Sequence, residues 1–360
     1  ADARALAEHA LALTLLLAVA CTAATELAGG ALFRAMGGDG IVLDQAVLFA
    51  RVLFAGLLVT FTVGTCDSIL RGSGNVRVPA VCSTLSLVLQ IAFTPVFMFT
   101  LGFGLVGAAL ATIAGQVIGM VPRGWYIFGG RAAFHPRLVP RRLVGRHLTE
   151  ILRVGVPASL SAALNYIALV VLTGTVARFG NAHLAAYGLG TRLDFLLFSL
   201  GFGVAASGMT LVGMASGAAR PELVGRYVRQ SALLAISLVT VPAALVTWRP
   251  ELWIGLFSSA PDVLRVGSTY FRLVGPSYLF IVVSMVIASA FQGLGRAVVP
   301  LTVMIARVII VVGTAIALTR VWGAGDDAVF AVIAAGNIAS CLALILLFLP
   351  LLRAARPSSS

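Results

Sequence analysis

The sequence predicts an all-α integral membrane protein with two parallel-repeat helical lobes. Of its 360 residues 60% are hydrophobic and only 11% are charged, and the mean hydropathy is +1.04. A soluble chain of this length needs a more polar surface. The apolar residues form blocks of about twenty or more, the length that crosses ~30 Å of hydrocarbon. In addition, one glycine-rich segment occurs twice along the chain, which indicates an internal duplication.

Ten apolar blocks are predicted to be membrane helices. They cover residues 11–33, 46–69, 79–100, 104–126, 152–177, 184–214, 227–248, 267–290, 299–319 and 328–352. The block at 184–214 is longer than one perpendicular crossing requires, so we expect this helix to be tilted or broken.

The arginines predict the orientation. The longest loop, 129–150, contains Arg131, Arg137, Arg141, Arg142 and Arg146, and an amphipathic basic segment suits an anionic cytoplasmic surface. With this loop placed in the cytoplasm, sixteen loop arginines lie on its side of the membrane and five on the other. This distribution obeys the positive-inside rule, and it explains the net charge of +12 without nucleic-acid binding. We therefore predict a multi-pass protein of the bacterial inner membrane.

The duplicated segment has the pattern GxGxxxxP. Its first copy includes Arg71, Gly72, Gly74 and Pro79, and its second copy includes Gln292, Gly293, Gly295 and Pro300. The two copies are separated by a constant 221 residues. Glycines permit a tight turn, and a proline begins the next helix where its missing N–H costs nothing. Both copies have the same predicted orientation, and such parallel repeats are typical of secondary transporters.

The repeat also predicts the domains. They are an N-terminal lobe of about four helices at 1–128, a basic cytoplasmic linker at 129–150, a C-terminal lobe of six helices at 151–353 and a polar tail at 354–360. Residue 1 aligns with residue 222, so the helices at 152–177 and 184–214 have no counterpart in the first lobe. We expect a complete plan of six plus six helices, with two more helices before residue 1.

Several motifs, in this order and spacing, resemble the multidrug and toxin extrusion (MATE) family. They are ILRGSGNVRVP (69–79), LVGAALATIAGQ (105–116), EILRVGVP (150–157), AYGLGTRLD (186–194) and FQGLGR (291–296). The resemblance implies a secondary active efflux transporter and not an enzyme. Such a transporter exchanges drugs or organic cations for protons or sodium by alternating access. It also implies the lipid bilayer and small lipophilic cations as partners, no nucleic acid, no obligate protein partner and no cofactor beyond a coupling ion.

The chain departs from the family at positions that bind coupling ions. One branch has Asn-x-x-Leu-Asp-Pro in its fifth helix, and here Gln90 and Thr94 replace the Asn and the Asp. Another branch has a cation-binding Glu after the proline of the seventh helix, where this chain has Asn165. The family's usual coupling residues therefore do not transfer to this sequence.

Asp194 is the acid best placed to bind a proton, a sodium ion or a cationic drug. It lies about 16 Å into its predicted helix, and an ionisable group in hydrocarbon normally faces a cavity or a partner. The alternative is that it neutralises Arg192, Arg272 or Arg307. The other candidate ligands are Glu26, Gln90, Thr94, Thr112, Gln116 and Asn165. For these the alternatives are an interfacial position for Glu26 and, for the hydroxyls, hydrogen bonds to their own helix.

Charged residues near the helix ends have structural interpretations. Asp67 and Arg71 are four residues apart, which predicts an ion pair within one helix. Arg51 and Arg272 are equivalent in the repeat, so we predict that both are anchors between helices.

Two other functions were considered. A lipid-linked sugar flippase needs several arginines around one cavity, and Arg51, Arg192, Arg272 and Arg307 are the available set. A membrane-embedded enzyme needs a metal cluster or a nucleophile with a base, and none of the four histidines or four cysteines has such a spacing. The absence of a Walker motif excludes ATP hydrolysis by this chain.

Overall fold

The computed structural model describes residues 2–35, 40–129, 144–323 and 325–354. Within these ranges all the regular secondary structure is helical. Nine helices are long and apolar enough to cross a membrane, or ten if the bent pair Leu43–Ala55 and Leu57–Gly72 forms one span. The predicted all-α membrane fold is confirmed. The chain divides into two compact units, Ala1–Ile151 and Leu152–Ser360.

The first unit, which we call the N-lobe, contains five helices before the loop at 130–143. They are α1 (Asp2–Ala35), α2 (Gly40–Ala55), α3 (Leu57–Gly72), α4 (Arg77–Pro95) and α5 (Gly104–Phe128). A π-helical turn, Val96–Thr100, extends α4.

The second unit, the C-lobe, contains α6, whose first turns precede the unit boundary, and seven further helices. Its helices are α6 (Gly145–Ala177), α7 (Asn181–Gly217), α8 (Pro221–Trp248), α9 (Pro250–Ile254), α10 (Pro261–Val274), α11 (Tyr278–Gly293), α12 (Val298–Arg320) and α13 (Asp326–Ala354). Its core lies where α7, α8, α10 and α11 pack together, and it consists of valine, alanine and aromatic side chains.

Two predicted helices are divided, and the one expected to be tilted or broken is continuous. The block at 46–69 divides at Gly56, where α2 and α3 meet at 42° and where Ile113 of α5 packs against the glycine. The block at 267–290 divides at Gly275–Ser277. Pro276 lies in this break, where its missing N–H removes a helical hydrogen bond. By contrast, α7 continues for 37 residues.

The repeat is visible in the backbone. Gly74 and Gly295 both have positive φ, of 88° and 72°, which favours glycine over residues with a Cβ. Their amides donate to Arg71 and Gln292 respectively, both over 2.9 Å, and so satisfy carbonyl groups at the ends of α3 and α11. The first residues of α4 and α12 are also 221 positions apart. The two copies therefore share a helix–turn–helix geometry.

Close helix contacts also recur in the repeat. A Cβ on Gly115 of α5 would lie 2.6 Å from the Ser86 carbonyl oxygen of α4. The equivalent Gly336 of α13 packs against Val311 of α12. Small residues permit such approaches between membrane helices.

Part of the predicted linker and nearly all of the predicted tail lie outside the described residues. Residues 130–143 and 355–360 are not described. Residues 145–150, which we assigned to the linker, form the first turns of α6. The helix continues from these residues into its apolar part without a break.

Candidate functional site

The C-lobe contains a group of buried polar side chains around Asp194, and we call it the Asp194 cluster. Its members come from four helices: Asp194 from α7, Tyr270 from α10, Tyr278 from α11 and Arg307 from α12. The hydroxyl of Tyr270 donates to Asp194 Oδ2 over 3.3 Å. The Tyr278 hydroxyl also approaches the carboxyl group as a weaker hydrogen-bond donor, and Arg307 interacts with it electrostatically. The cluster therefore gathers one acid, two phenols and one guanidinium.

The packing of small residues places the acid beside the phenols. Gly190 lies one turn before Asp194 on α7, and a Cβ there would be 2.7 Å from Cζ of Tyr270. A larger residue would push the ring away from the acid. Tyr270 also packs edge-to-face on Tyr187 and Phe330, with ring centroids 5.8 and 5.1 Å apart. These contacts fix the phenol where its hydroxyl reaches the carboxylate.

Hydrogen bonding in the cluster is incomplete. Asp194 Oδ1, the Tyr278 hydroxyl and Arg307 Nε are buried atoms, and none makes a hydrogen bond of standard length and angle among the described residues. Buried polar atoms are nearly always paired, and unpaired ones are costly. Two oxygen atoms and one N–H donor, on α7, α11 and α12, therefore have unused hydrogen-bonding capacity.

A chain of hydrogen bonds joins the cluster to the helix break. Arg307 donates to Asn337 Oδ1 over 2.6 Å, and the Asn337 amide donates to the Ser277 hydroxyl over 2.9 Å. Ser277 in turn donates to the carbonyl of Val274 over 2.7 Å. This chain ends at the last residue of α10, where the break before α11 begins.

The N-lobe candidates lie on one helix pair but form no equivalent cluster. Gln90 and Thr94 are on α4, and Thr112 and Gln116 are on α5. The hydroxyls of Thr94 and Thr112 bond to carbonyls of their own helices, at 2.7 and 2.9 Å. Gln116 Oε1 is buried without a partner in the described ranges. The buried oxygen of Gln116 therefore has unused hydrogen-bonding capacity, and the ligand role of all four side chains remains a prediction.

Two further ion pairs join neighbouring helices in the described residues. Glu26 pairs with Arg51 over 3.0 Å, and Arg272 pairs with Glu251 over 3.9 Å. Both pairs join consecutive parts of their lobe, as expected for anchors. The N-lobe pair lies near a surface cavity of about 420 Å³ that includes Arg51. Glu26 therefore lies in an open setting. Asn165 on α6 is also exposed.

The three C-lobe arginines considered for a flippase have separate partners. In the C-lobe, Arg192 lies over the ring of Phe257 at 5.3 Å, Arg272 pairs with Glu251 and Arg307 binds Asn337. Of the three arginines that we considered as neutralising partners of Asp194, only Arg307 interacts with it. Asp194 and Arg307 do not approach within ion-pair distance in the described structure.

Sequence reasoning missed several functional and structural residues. Arg123, counted among the loop arginines, is buried in α5 and binds Asp67 with Nε to Oδ1 at 2.7 Å. The predicted ion pair between Asp67 and Arg71 is present as well, at 3.9 Å, so Asp67 pairs with both arginines. Tyr270, Tyr278 and Asn337 were not identified either. Asn337 is the repeat equivalent of Gln116, so the offset could have identified it, whereas no sequence signal distinguished the tyrosines.

Comparisons with known proteins identify the family. A sequence profile of the MatE family matches residues 1–96 and 157–319. The chain belongs to this family. It is therefore a multi-pass membrane protein from a family of transporters and not an enzyme.

Two curated relatives show the range of named functions. The chain is 25% identical over 306 residues to a probable multidrug resistance protein NorM of Thermotoga maritima, covering 83% of this chain and 65% of that protein. It is 23% identical over 319 residues to an FAD transporter of Shewanella oneidensis, covering 86% of this chain and 69% of that protein. The chain thus spans about two-thirds of the length of each.

Solved structures agree with this assignment. The fold matches a MOP superfamily transporter from Pyrococcus furiosus with a TM-score of 0.91 at 25% identity, covering 99% of this chain and 80% of that one. It matches a MATE transporter in a straight conformation with a TM-score of 0.89 at 26% identity, covering 98% and 79%. The predicted family and fold are confirmed.

Proposed function

We propose that this protein is a secondary active efflux transporter of the inner membrane, which exchanges lipophilic organic cations for protons or sodium by alternating access. Membership of the MatE family and the likeness to a NorM multidrug resistance protein support efflux. The Asp194 cluster supports ion coupling. It is the observation on which the proposal depends.

Asp194 has the properties that a coupling site requires. Asp194 is partly buried in the C-lobe, its carboxylate accepts a hydrogen bond from Tyr270 over 3.3 Å, and its Oδ1 atom is buried without a hydrogen bond of standard geometry in the described structure. A buried ionisable group in a membrane protein is expensive and normally functional. Coupling requires a group that can bind a cation in one state and release it in another, because a gradient can act only through differential binding. The carboxylate and the two nearby phenol oxygens supply such a group.

The test is transport by the protein reconstituted in liposomes. Asp194→Asn keeps the size of the side chain and removes its charge, so we expect gradient-driven ethidium transport to fall to the level of empty liposomes. Asp262→Asn is the matched control, because Asp262 is an exposed acid in the first turn of α10, and this variant should transport normally. FAD is the comparison substrate, chosen because of the Shewanella relative.

Three results would contradict the proposal. They are transport that persists after both proton and sodium gradients are dissipated, normal transport by Asp194→Asn, and transport of FAD with none of ethidium. Purification yield and thermal unfolding of each variant separate loss of transport from loss of folding.

A further inference from the structure

Arg307 is a partly buried cation that forms no ion pair with an acid in the described residues. Its two observed side-chain contacts are to neutral atoms, Asn337 Oδ1 at 2.6 Å and the sulfur of Met304 at 3.8 Å. Nε is buried and has no partner in the part of the chain that is described. An arginine cannot lose its proton in a protein, so its charge persists in the core. Such a charge requires a counter-charge nearby.

Asp194 is the acid that supplies this counter-charge. The titratable groups that face Asp194 are Tyr187 on its own helix, Tyr270 on α10, Tyr278 on α11 and Arg307 on α12. The groups that face Arg307 electrostatically are Asp194 and Tyr187. Within the described ranges neither residue has a second acid beside it. The two charges therefore balance each other through space, although no ion pair joins them.

We infer that Arg307 is an internal competitor for Asp194, which opposes cation binding at the carboxylate, and that Asn337 is a positioning residue that holds Arg307 away from the acid. The inference rests on the proposed function, since it presumes that Asp194 binds a cation. According to this inference, Arg307 and Asn337 control the affinity of Asp194 for that cation.

The physical argument concerns the net charge of the cluster. When Asp194 is ionised and empty, its charge offsets that of Arg307. When a cation occupies Asp194, the guanidinium loses its counter-charge in a medium of low dielectric constant, where charges interact strongly. The loaded state is therefore raised in free energy, and release of the cation is favoured. A transporter needs this balance, because a carboxylate without a competitor would retain its ion.

The position of Asn337 explains why Arg307 does not simply pair with Asp194. The amide oxygen of Asn337 binds the guanidinium, and the amide nitrogen is fixed by Ser277. Ser277 is itself fixed to the Val274 carbonyl. The Arg307 side chain is therefore held by the broken segment between α10 and α11. Movement at this break would change the distance between Arg307 and Asp194.

The arrangement is particular to the C-lobe. The N-lobe residues at positions equivalent to Arg307 and Asn337 are Ser86 and Gln116. Ser86 bonds to the carbonyl of Cys82 in its own helix. Neither equivalent position in the N-lobe has a cationic residue, so the repeat fold itself does not require one there.

The first experiment measures the charge coupling without any ligand. Thermal unfolding in detergent is compared for Asp194→Asn, Arg307→Met and the double variant, with Arg320→Met as control because Arg320 is exposed at the end of the same helix. We expect Asp194→Asn to lower Tm more than Arg307→Met, because a carboxyl group left alone can take up a proton and a guanidinium cannot. The Tm of the double variant should fall by less than the sum of the falls in the two single variants. Additive losses would overturn the inference.

The second experiment measures ethidium binding by fluorescence anisotropy. Removing the competing charge in Arg307→Met should lower Kd by about tenfold. Asn337→Leu leaves Arg307 free to approach the carboxylate, so its Kd should rise, and Ser277→Ala should change Kd in the same direction by less. Arg320→Met should bind as the wild type does. A purely structural role would weaken binding in all of the cluster variants and would not give opposite signs.

The outcomes separate the two proposals. If Asp194→Asn abolishes ethidium binding but Arg307→Met does not tighten it, the competitor role is wrong and the proposed function stands. If Asp194→Asn binds ethidium as tightly as the wild type, the proposed function at this site is wrong. In that case the thermal unfolding of the two single variants and the double variant still decides whether Arg307 and Asp194 are counter-ions.

Discussion

Arg123 of the N-lobe is buried and Arg307 of the C-lobe is partly buried, and the two arginines have different surroundings. In the N-lobe, Arg123 binds Asp67 through Nε and through a second nitrogen, at 2.7 and 3.3 Å. It also donates to the Ser83 hydroxyl and to the Gly119 carbonyl, both at 2.7 Å. In the C-lobe, Arg307 has a neutral amide as its main partner and leaves its acid unpaired. We call the N-lobe cluster closed, because its arginine is paired with an acid, and the C-lobe cluster open, because its arginine is not.

The comparison shows how burial of charge can serve two purposes. The repeat equivalents of Asp67 and Arg123 are Ala288 and Leu344 in the C-lobe, so the fold forms at these positions with or without an ion pair. A fully paired charge has no remaining capacity to bind a ligand, and it acts on packing alone. The open cluster retains that capacity, at the expense of unsatisfied hydrogen bonds.

The largest expected effect on stability is the loss of one partner from the closed pair. Asp67→Asn leaves Arg123 buried without a counter-charge, and breaking a buried pair in this way costs about 3–5 kcal/mol. We expect a large fall in the free energy of unfolding in micelles and a low yield. Asp194→Asn should cost less, because the carboxylate there has one hydrogen bond and no ion pair in the described structure. Equal losses in the two variants would show that the distinction between open and closed clusters has no energetic meaning.

Copying the C-lobe residues into the N-lobe should reverse most of that loss. The double variant Asp67→Ala with Arg123→Leu replaces both charges with the residues found at the equivalent positions. Apolar replacement of a buried ion pair is often neutral or stabilising, so we expect about 2–4 kcal/mol to be regained relative to the single variant. Unfolding of the double variant alongside both singles measures this directly. A double variant as unstable as Asp67→Asn would mean that the pair determines the N-lobe packing.

A smaller difference is expected at the equivalent glycines. A Cβ on Gly115 would meet the Ser86 carbonyl of the backbone at 2.6 Å, whereas on Gly336 it would meet a methyl group of the Val311 side chain. A backbone atom moves only with its helix, while a side chain can change rotamer. Overpacking costs about 1–3 kcal/mol in the free energy of unfolding. We expect the cost of Gly115→Ala to lie at the upper end of this range and that of Gly336→Ala at the lower end. The reverse order of Tm values would contradict the close approach of α4 and α5.

The smallest effect is expected from the ion pairs at the helix ends. Glu26 and Arg51 have side chains that are 46% and 51% exposed, and exposed pairs contribute about 0–1 kcal/mol. Glu26→Gln and Glu251→Gln should therefore leave both Tm and ethidium transport nearly unchanged. A transport defect in Glu26→Gln with normal stability would instead place a second functional acid in the N-lobe and weaken the contrast between the lobes.

The amino-acid sequence determined the class, the repeat and the family of this protein. Apolar blocks of membrane length can satisfy their backbone only as helices in lipid, so composition decided the fold class. The repeat followed from the glycines at 74 and 295, because a positive φ in a turn restricts the residue that can occupy it. The prediction that Asp194 is the principal acid also came from sequence, because a charge inside an apolar block is unusual wherever it points.

Only the tertiary structure decided which charges pair. Arg123 was assigned to a loop and Asp67 to Arg71, since pairing within one helix is the interaction that sequence spacing can show. The structure contains the pair of Asp67 with Arg71 and adds two contacts that spacing cannot show, one between Asp67 and Arg123 across 56 positions and one between Tyr270 and Asp194 across 76. Tyr270, Tyr278 and Asn337 come from different helices, and their side chains meet at Asp194 and Arg307 only because the helices pack in one order. Distances between such helices depend on close contacts like that of Gly190 with Tyr270, which no periodicity along the chain encodes.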